Sequence, residues 1–227
     1  MHPQSKLWYL ENFDMLKALS KKEKEKLDSV ADMRHAPKKQ VLYFPTESSS
    51  NIYMLKAGKV KISRISPDGK EIILAILGPG EVFGELGITG KQEREEIAEV
   101  TDDAIICVVG LEDLQRMMKD NPKFNTEILK LIGFRLKRIQ SRLESLIFKT
   151  AEQRIRSLIK ELAEEHGRII AGDENQREVR LGLTHDEMAK LTATSRQTVT
   201  TQLNELEKNN LIKYDRKRVY VKDLRLL

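Results

Sequence analysis

The stretch Leu183-Thr184-His185-Asp186-Glu187-Met188-Ala189-Lys190-Leu191-Thr192-Ala193-Thr194-Ser195-Arg196-Gln197-Thr198-Val199 contains two helix starts in close succession. Thr184 with Glu187 three residues on is a capping-box pair, so a helix opens there and carries Met188 to Leu191. A second helix opens at Thr194-Ser195, runs to Lys208 and stops at Asn209-Asn210. Leu211-Ile212-Lys213-Tyr214 and Val219-Tyr220-Val221 then flank the turn Asp215-Arg216-Lys217-Arg218, which makes a hairpin with a basic tip. Two short helices, a tight turn and such a hairpin form the layout of a winged helix-turn-helix. Its second helix enters the major groove of double-stranded DNA, and its wing lies along phosphates.

Charge supports that layout. From Lys190 to Leu227 nine basic residues stand against four acidic ones, an excess equal to the +5 of the whole chain. A net charge of this size says little by itself; its concentration on the helix-turn-helix and wing is the electrostatic footprint of a nucleic-acid binder.

Toward the N-terminus, Leu129, Ile132, Leu136, Ile139, Leu143 and Leu146 recur at steps of three and four, with mostly Lys, Arg, Glu and Gln between them. Two apolar positions per heptad make a seam narrower than an ordinary helix face, as in a parallel coiled-coil dimer. The other placement lays the same helix on the barrel of its own chain.

Upstream again, from Lys39 to Val109, short β-branched runs alternate with glycine turns. Val41 to Phe44, Ile52 to Leu55, Lys59 to Ile65, Glu71 to Leu77, Ala98 to Val100 and Ala104 to Val109 read as strands, with Pro67-Asp68-Gly69 as a hairpin turn. Six strands at this spacing indicate a small antiparallel barrel or jelly roll. Leu16 to Val30 reads as helical, with Ser20 and Glu23 as a capping box. The fold class is therefore α+β. An N-terminal barrel with flanking helices spans 1–122, a coiled-coil dimerisation helix 123–149 and a C-terminal winged helix-turn-helix 150–227.

Composition excludes several classes. No apolar run approaches the ~20 residues of a membrane helix, and the start of the chain has no signal-peptide core. The single cysteine, Cys107, rules out an internal disulfide or a multi-cysteine cluster, so a cytoplasmic location is expected. A metal-dependent barrel enzyme would need several inward histidines and carboxylates; between Lys39 and Val109 there is no histidine, and His35 stands at the edge. Neither a catalytic residue nor a metal site is expected.

The segment Leu183 to Ile212 resembles the helix-turn-helix of the CRP/FNR family, and Gly78-Pro79-Gly80-Glu81-Val82-Phe83-Gly84-Glu85-Leu86-Gly87 resembles that family's phosphate-binding cassette. The resemblance covers nearly the whole chain in the order barrel, long helix, winged helix. It implies a homodimeric transcription regulator acting on pseudo-palindromic operators, with RNA polymerase as a further partner, reached in many members through the loop corresponding to Gly172 to Gln176. It places Arg196, Gln197 and Thr201 at base-contacting positions; the family has Glu and Arg where this chain has Gln197 and Thr201. It places His185, Ser195 and Thr198 on phosphate, beside the wing residues Arg216, Lys217 and Arg218. A guanidinium suits guanine, an amide suits adenine and a Thr methyl suits thymine. Gln197 also stands three residues after Thr194, a second capping-box spacing that would direct its amide to the helix start.

For the sensor half the resemblance implies an effector pocket at Gly84, Glu85 and Arg94, closed by helix residues that fall on Ile139 and Gln140. Where the family has a small hydroxyl after the arginine, this chain has Glu95, followed by Glu96. An ionised carboxylate cannot donate to a phosphate and repels it, and Ile139 cannot hydrogen-bond adenine. Cyclic AMP is therefore not the expected effector, and no cofactor is expected. Either another small molecule binds, or Arg94 pairs with its neighbouring acids and no effector is needed. A cyclic-nucleotide-binding scaffold whose C-terminal domain binds protein is the alternative function; it would not require a basic recognition helix and wing.

Overall fold

The computed structural model describes residues 13–90, 93–170, 172–179, 183–215 and 218–227. The chain divides into two compact units, Met1–Arg138 and Ile139–Leu227.

In the first unit, β1 (Asp32–Ala36), β2 (Val41–Tyr43), β3 (Asn51–Ile65), β4 (Glu71–Leu77), β5 (Val82–Phe83) and β6 (Ile97–Gly110) form one six-stranded antiparallel sheet. The order is β1-β6-β3-β4, with β2 added on β6 and β5 on β3. Both faces are covered, which explains why the runs in β3 and β6 are continuously apolar. Tyr53, Leu55, Ala104 and Ile106 join a core with Tyr43, Val60, Leu77 and Phe83. The alternate residues Ile52, Met54, Cys107 and Val109 join a second core with Phe13, Leu16, Leu27, Leu114, Phe124 and Ile128. Helices α1 (Lys21–Val30), capped by the Ser20–Glu23 box, and α2 (Leu111–Asp120) flank the sheet and place Leu27 and Leu114 in that second core.

Two expected strand boundaries are absent. Gly58 does not end a strand: β3 runs through it with shifts of register against β6. The glycine is required there because its φ is +84° and a Cβ would lie 2.2 Å from the Asp103 carbonyl oxygen. Likewise β6 continues through Thr101-Asp102-Asp103 between its two apolar runs.

Helix α3 (Pro122–Phe148, 27 residues) starts with proline at its first position, where a missing N–H is harmless. Leu136 (56% exposed), Ile139 (66%) and Leu143 (57%) lie open, as do Leu129 and Leu146. Ile132 departs from the expected seam: it is half-buried and packs with Leu131 against the core beside Ile128. At this turn α3 belongs to its own unit's core, and the open seam is carried mainly by the residues on either side.

The second unit contains α4 (Ala151–His166), capped by a Thr150–Gln153 box, then β7 (Arg168–Ile170), β8 (Asp173–Val179), α5 (His185–Thr192), α6 (Arg196–Lys208), β9 (Ile212–Asp215) and β10 (Arg218–Val221). The four strands pair in the order β7-β8-β10-β9. The segment Asp173 to Gln176, expected as part of a polar loop, is strand: Ile170 pairs with Asp173, and β8 continues into the register with β10. Its polar side chains conceal the pairing because they are not fully buried. Ile155, Ile159, Met188, Val199, Leu203, Leu206, Ile212 and Val219 are buried around this sheet.

Candidate DNA-binding face and effector pocket

Helix α6 has two faces. Val199, Gln202, Leu203 and Leu206 are buried, while Arg196, Gln197 and Thr201 are exposed. Ser195 is the N-cap: its Oγ accepts from the Thr198 backbone N–H at 3.0 Å and lies 2.8 Å from the Thr198 hydroxyl. Capping therefore falls to Ser195 rather than to a Thr194–Gln197 box, which leaves the Gln197 amide on the exposed face beside Arg196.

His185 is held differently from a free phosphate donor. Its Nδ1 is 2.8 Å from the Thr200 hydroxyl and its Nε2 is 2.9 Å from the Tyr214 hydroxyl, so the ring ties α5 to α6 and to β9. The single Thr200 hydroxyl proton goes to the Arg196 carbonyl at 3.0 Å. Thr200 Oγ1 can then only accept from the ring, which puts the imidazole proton on Nδ1 and leaves Nε2 to accept from Tyr214. Burial first, then the nearby Arg196 charge, holds the His185 pKa below its ordinary value. Both ring nitrogens are in use within the protein, so the ring itself aligns the helices.

Of the wing residues, Arg216 and Lys217 lie outside the described residues. Arg218 Nη1 donates to Glu178 Oε1 at 2.8 Å across the β10–β8 pair. Its charge is thus partly answered by a carboxylate of the same sheet.

In the first unit the cassette residues follow β5. Gly84 adopts φ +81°, and a Cβ there would lie 2.9 Å from Arg94 Nη1. Arg94, 6% exposed, donates from Nη1 to the Gly84 carbonyl at 2.9 Å and from Nη2 to the Asn51 carbonyl at 2.5 Å. Its guanidinium carbon sits 4.5 Å from the Tyr43 ring centre and 5.8 Å from that of Tyr53, which stacks on Phe83 at 5.0 Å. Arg94 thus meets carbonyls through Nη1 and Nη2, in place of the neighbouring acids expected as its partners, while its buried Nε has no hydrogen-bond partner.

Glu95 turns the other way and pairs with Arg64 on an exposed edge. The acid near Glu85, Arg135 and Arg94 is Glu96. Burial, then the Glu85 carboxylate, raises the Glu96 pKa. Glu85 itself is buried and meets Arg135 of α3, whose Nε is 3.1 Å from Glu85 Oε1 and which also donates to the Val82 carbonyl. Gly84, Glu85 and Arg94 therefore come together; Ile139 and Gln140 are exposed and belong to the second unit. Arg138 Nη1 lies 3.3 Å from Glu81 Oε1, and at Glu85 the helix residue is Arg135, one turn before Ile139. Its place on that helical face was a signal open to sequence reasoning, which also missed the partnership of His185 with Tyr214.

An antiparallel sensor sheet bearing this cassette, a long helix with an open apolar seam and a winged helix-turn-helix define a DNA-binding regulator with a cyclic-nucleotide-binding-like domain. Residues 33–121 match the family described as Cyclic nucleotide-binding domain, and residues 153–227 match the Crp-like helix-turn-helix domain. The chain belongs to the CRP/FNR family of transcription regulators. It is 29% identical over 187 residues, 82% of either chain, to the CRP-like cAMP-activated global transcriptional regulator of Mycobacterium tuberculosis. It is 27% identical over 192 residues, 84% of either chain, to the Cyclic AMP receptor protein of Thermus thermophilus. The structure of FixK2 from Bradyrhizobium japonicum superposes with a TM-score of 0.78 at 18% identity, covering 87% of this chain and 95% of that one. Among the described residues no helix is long and apolar enough to cross a membrane.

Proposed function

We propose that this protein acts as a cytoplasmic homodimer on pseudo-palindromic double-stranded DNA and needs no cyclic AMP to do so. The exposed face of α6 carries the reading: Arg196, Gln197 and Thr201 stand free at its N-terminal half while its other face is locked into the core. Arg196 contacts a guanine, Gln197 an adjacent base edge and Thr201 a thymine methyl. Ser195 and Thr198 at the helix start, with Arg216 and Lys217 of the wing, approach phosphates. Leu129, Leu136, Ile139, Leu143 and Leu146 close the dimer, so that two copies of α6 meet half-sites about one helical turn apart. RNA polymerase is the further protein partner, and the protein catalyses no reaction.

Independence from cyclic AMP is supported by the cassette's own charges. Arg135 pairs with one oxygen of Glu85, Nη1 and Nη2 of Arg94 already donate to carbonyls, and Glu96 stands near Glu85 where an anion would have to be accepted. Selection of bound duplexes from a random pool, with ligand-free protein, tests the proposal. Enriched inverted repeats carrying a fixed guanine in each half-site are expected; enrichment without inverted symmetry, or only after cyclic AMP is added, overturns it.

A further inference from the structure

Helix α5 ends at Thr192, and Ala193, in the left-handed region at φ 49°, turns the chain toward α6. A helix that ends this abruptly leaves its last carbonyls without helical partners, at the negative end of its dipole. Here guanidinium groups from outside the helix-turn-helix take three of them. Arg142, near the end of α3, donates to the Leu191 carbonyl at 2.6 Å. Arg154, in the first turn of α4, donates from Nε to the Thr192 carbonyl at 2.7 Å and from Nη2 to the Ala193 carbonyl at 3.1 Å. Its remaining nitrogen, Nη1, donates to the Lys149 carbonyl at 2.9 Å, in the break between α3 and α4. All of these residues lie in the second unit.

One planar group therefore joins the end of the long helix to the turn that launches α6, and a second guanidinium bonds the turn directly to that helix. We infer that Arg154, assisted by Arg142, is a positioning residue for DNA recognition. It fixes the direction of α6 relative to α3 and so sets the half-site spacing that the dimer accepts. The inference rests on α6 being the recognition helix and α3 the dimer helix. The role needs the fork of arginine: three nitrogens of fixed geometry reach three carbonyls, which a lysine ammonium on a flexible stem cannot reproduce. It is distinct from phosphate binding, because every nitrogen of Arg154 is engaged within the protein.

The test uses full-length dimer and three duplexes: the selected inverted repeat, and the same repeat with one base pair added to or removed from its centre. Each change rotates one half-site against the other by about a tenth of a helical turn. Wild type is expected to bind the altered duplexes at least ~10-fold more weakly than the native one. For Arg154→Ala, affinity for the native spacing is expected to fall about 10-fold and the three affinities to converge within about 3-fold, because a loosened helix follows the shifted half-site at an ordering cost. Arg154→Lys should behave like Arg154→Ala. The slope of log affinity against log salt should remain that of wild type, whereas loss of a phosphate contact would reduce it by about one.

Equal weakening of all three duplexes, or a reduced salt slope, overturns the inference while leaving the proposed function standing. Should the Arg154 variants not fold, Arg142→Ala, which removes the bond to the Leu191 carbonyl, should weaken the spacing preference partially; an unchanged preference in it also overturns the inference. Failure of wild type to bind any inverted repeat overturns the underlying function and this inference together.

Discussion

Arg135 Nε lies 3.1 Å from Glu85 Oε1, an ion pair between the long helix and the cassette. Both partners are largely shielded from solvent, so the pair is screened less than a surface contact. Cyclic AMP would have to place its phosphate near Glu96, beside this pair. Calorimetry with cyclic AMP is expected to give no binding at micromolar concentration. Sub-micromolar affinity together with ligand-dependent DNA binding would contradict this.

The open seam of α3 predicts the oligomeric state. Leu136→Glu would bury an unpaired charge in a symmetric interface, a loss of several kcal/mol (roughly 3–5 by analogy with broken buried pairs). Sedimentation is expected to show monomer for this variant, with operator affinity reduced as the half-sites uncouple. A dimer mass like that of wild type would assign the seam elsewhere.

Lys56 predicts a gain of stability on substitution. Its Nζ is buried without a hydrogen-bond partner, 3.9 Å over the Phe13 ring, and burial lowers its pKa from 10.5 to about 8. The folded protein thus releases this proton before the unfolded chain does. The burden is complete below about pH 8 and disappears as pH rises toward 10.5. Lys56→Met should stabilise the protein at pH 7 by about 1–3 kcal/mol in denaturant titration, with a smaller gain at pH 10. A destabilised variant at pH 7 would show that the cation–ring contact dominates.

His185 has the same sign of linkage at a lower pH. Its folded pKa lies below 6.5, so its stabilising contribution is complete above that pH and declines as pH falls through the folded value. An NMR titration should place the His185 midpoint below 6.5, with the neutral ring protonated on Nδ1. A midpoint above 6.5 would contradict the Thr200–His185–Tyr214 arrangement.

Features set by local chemistry were legible in the sequence. The Thr184–Glu187 and Ser20–Glu23 boxes form as spaced, Pro122 opens α3, and the Asp68-Gly69 turn joins β3 to β4. What escaped was set by pairing at a distance. Asp32 to Ala36 has no alternating pattern yet pairs with Val108 to Ala104. The polar start of β8 is strand because β7 lies beside it. In the site, the family resemblance picked out Arg196, Gln197 and Thr201, which lie exposed on α6. The partners of Arg94, Glu85 and His185 come from residues 10 to 50 positions away, beyond the reach of local spacing.

Recognition through Arg196 is measured most directly by a double-mutant cycle on the selected inverted repeat, using ligand-free protein, Arg196→Ala, and a duplex in which the fixed guanine of each half-site is replaced. Arg196→Ala is expected to lose about 1–3 kcal/mol per half-site on the native duplex and almost nothing on the replaced one. Equal losses on both duplexes, or no loss on either, would contradict base reading by this helix.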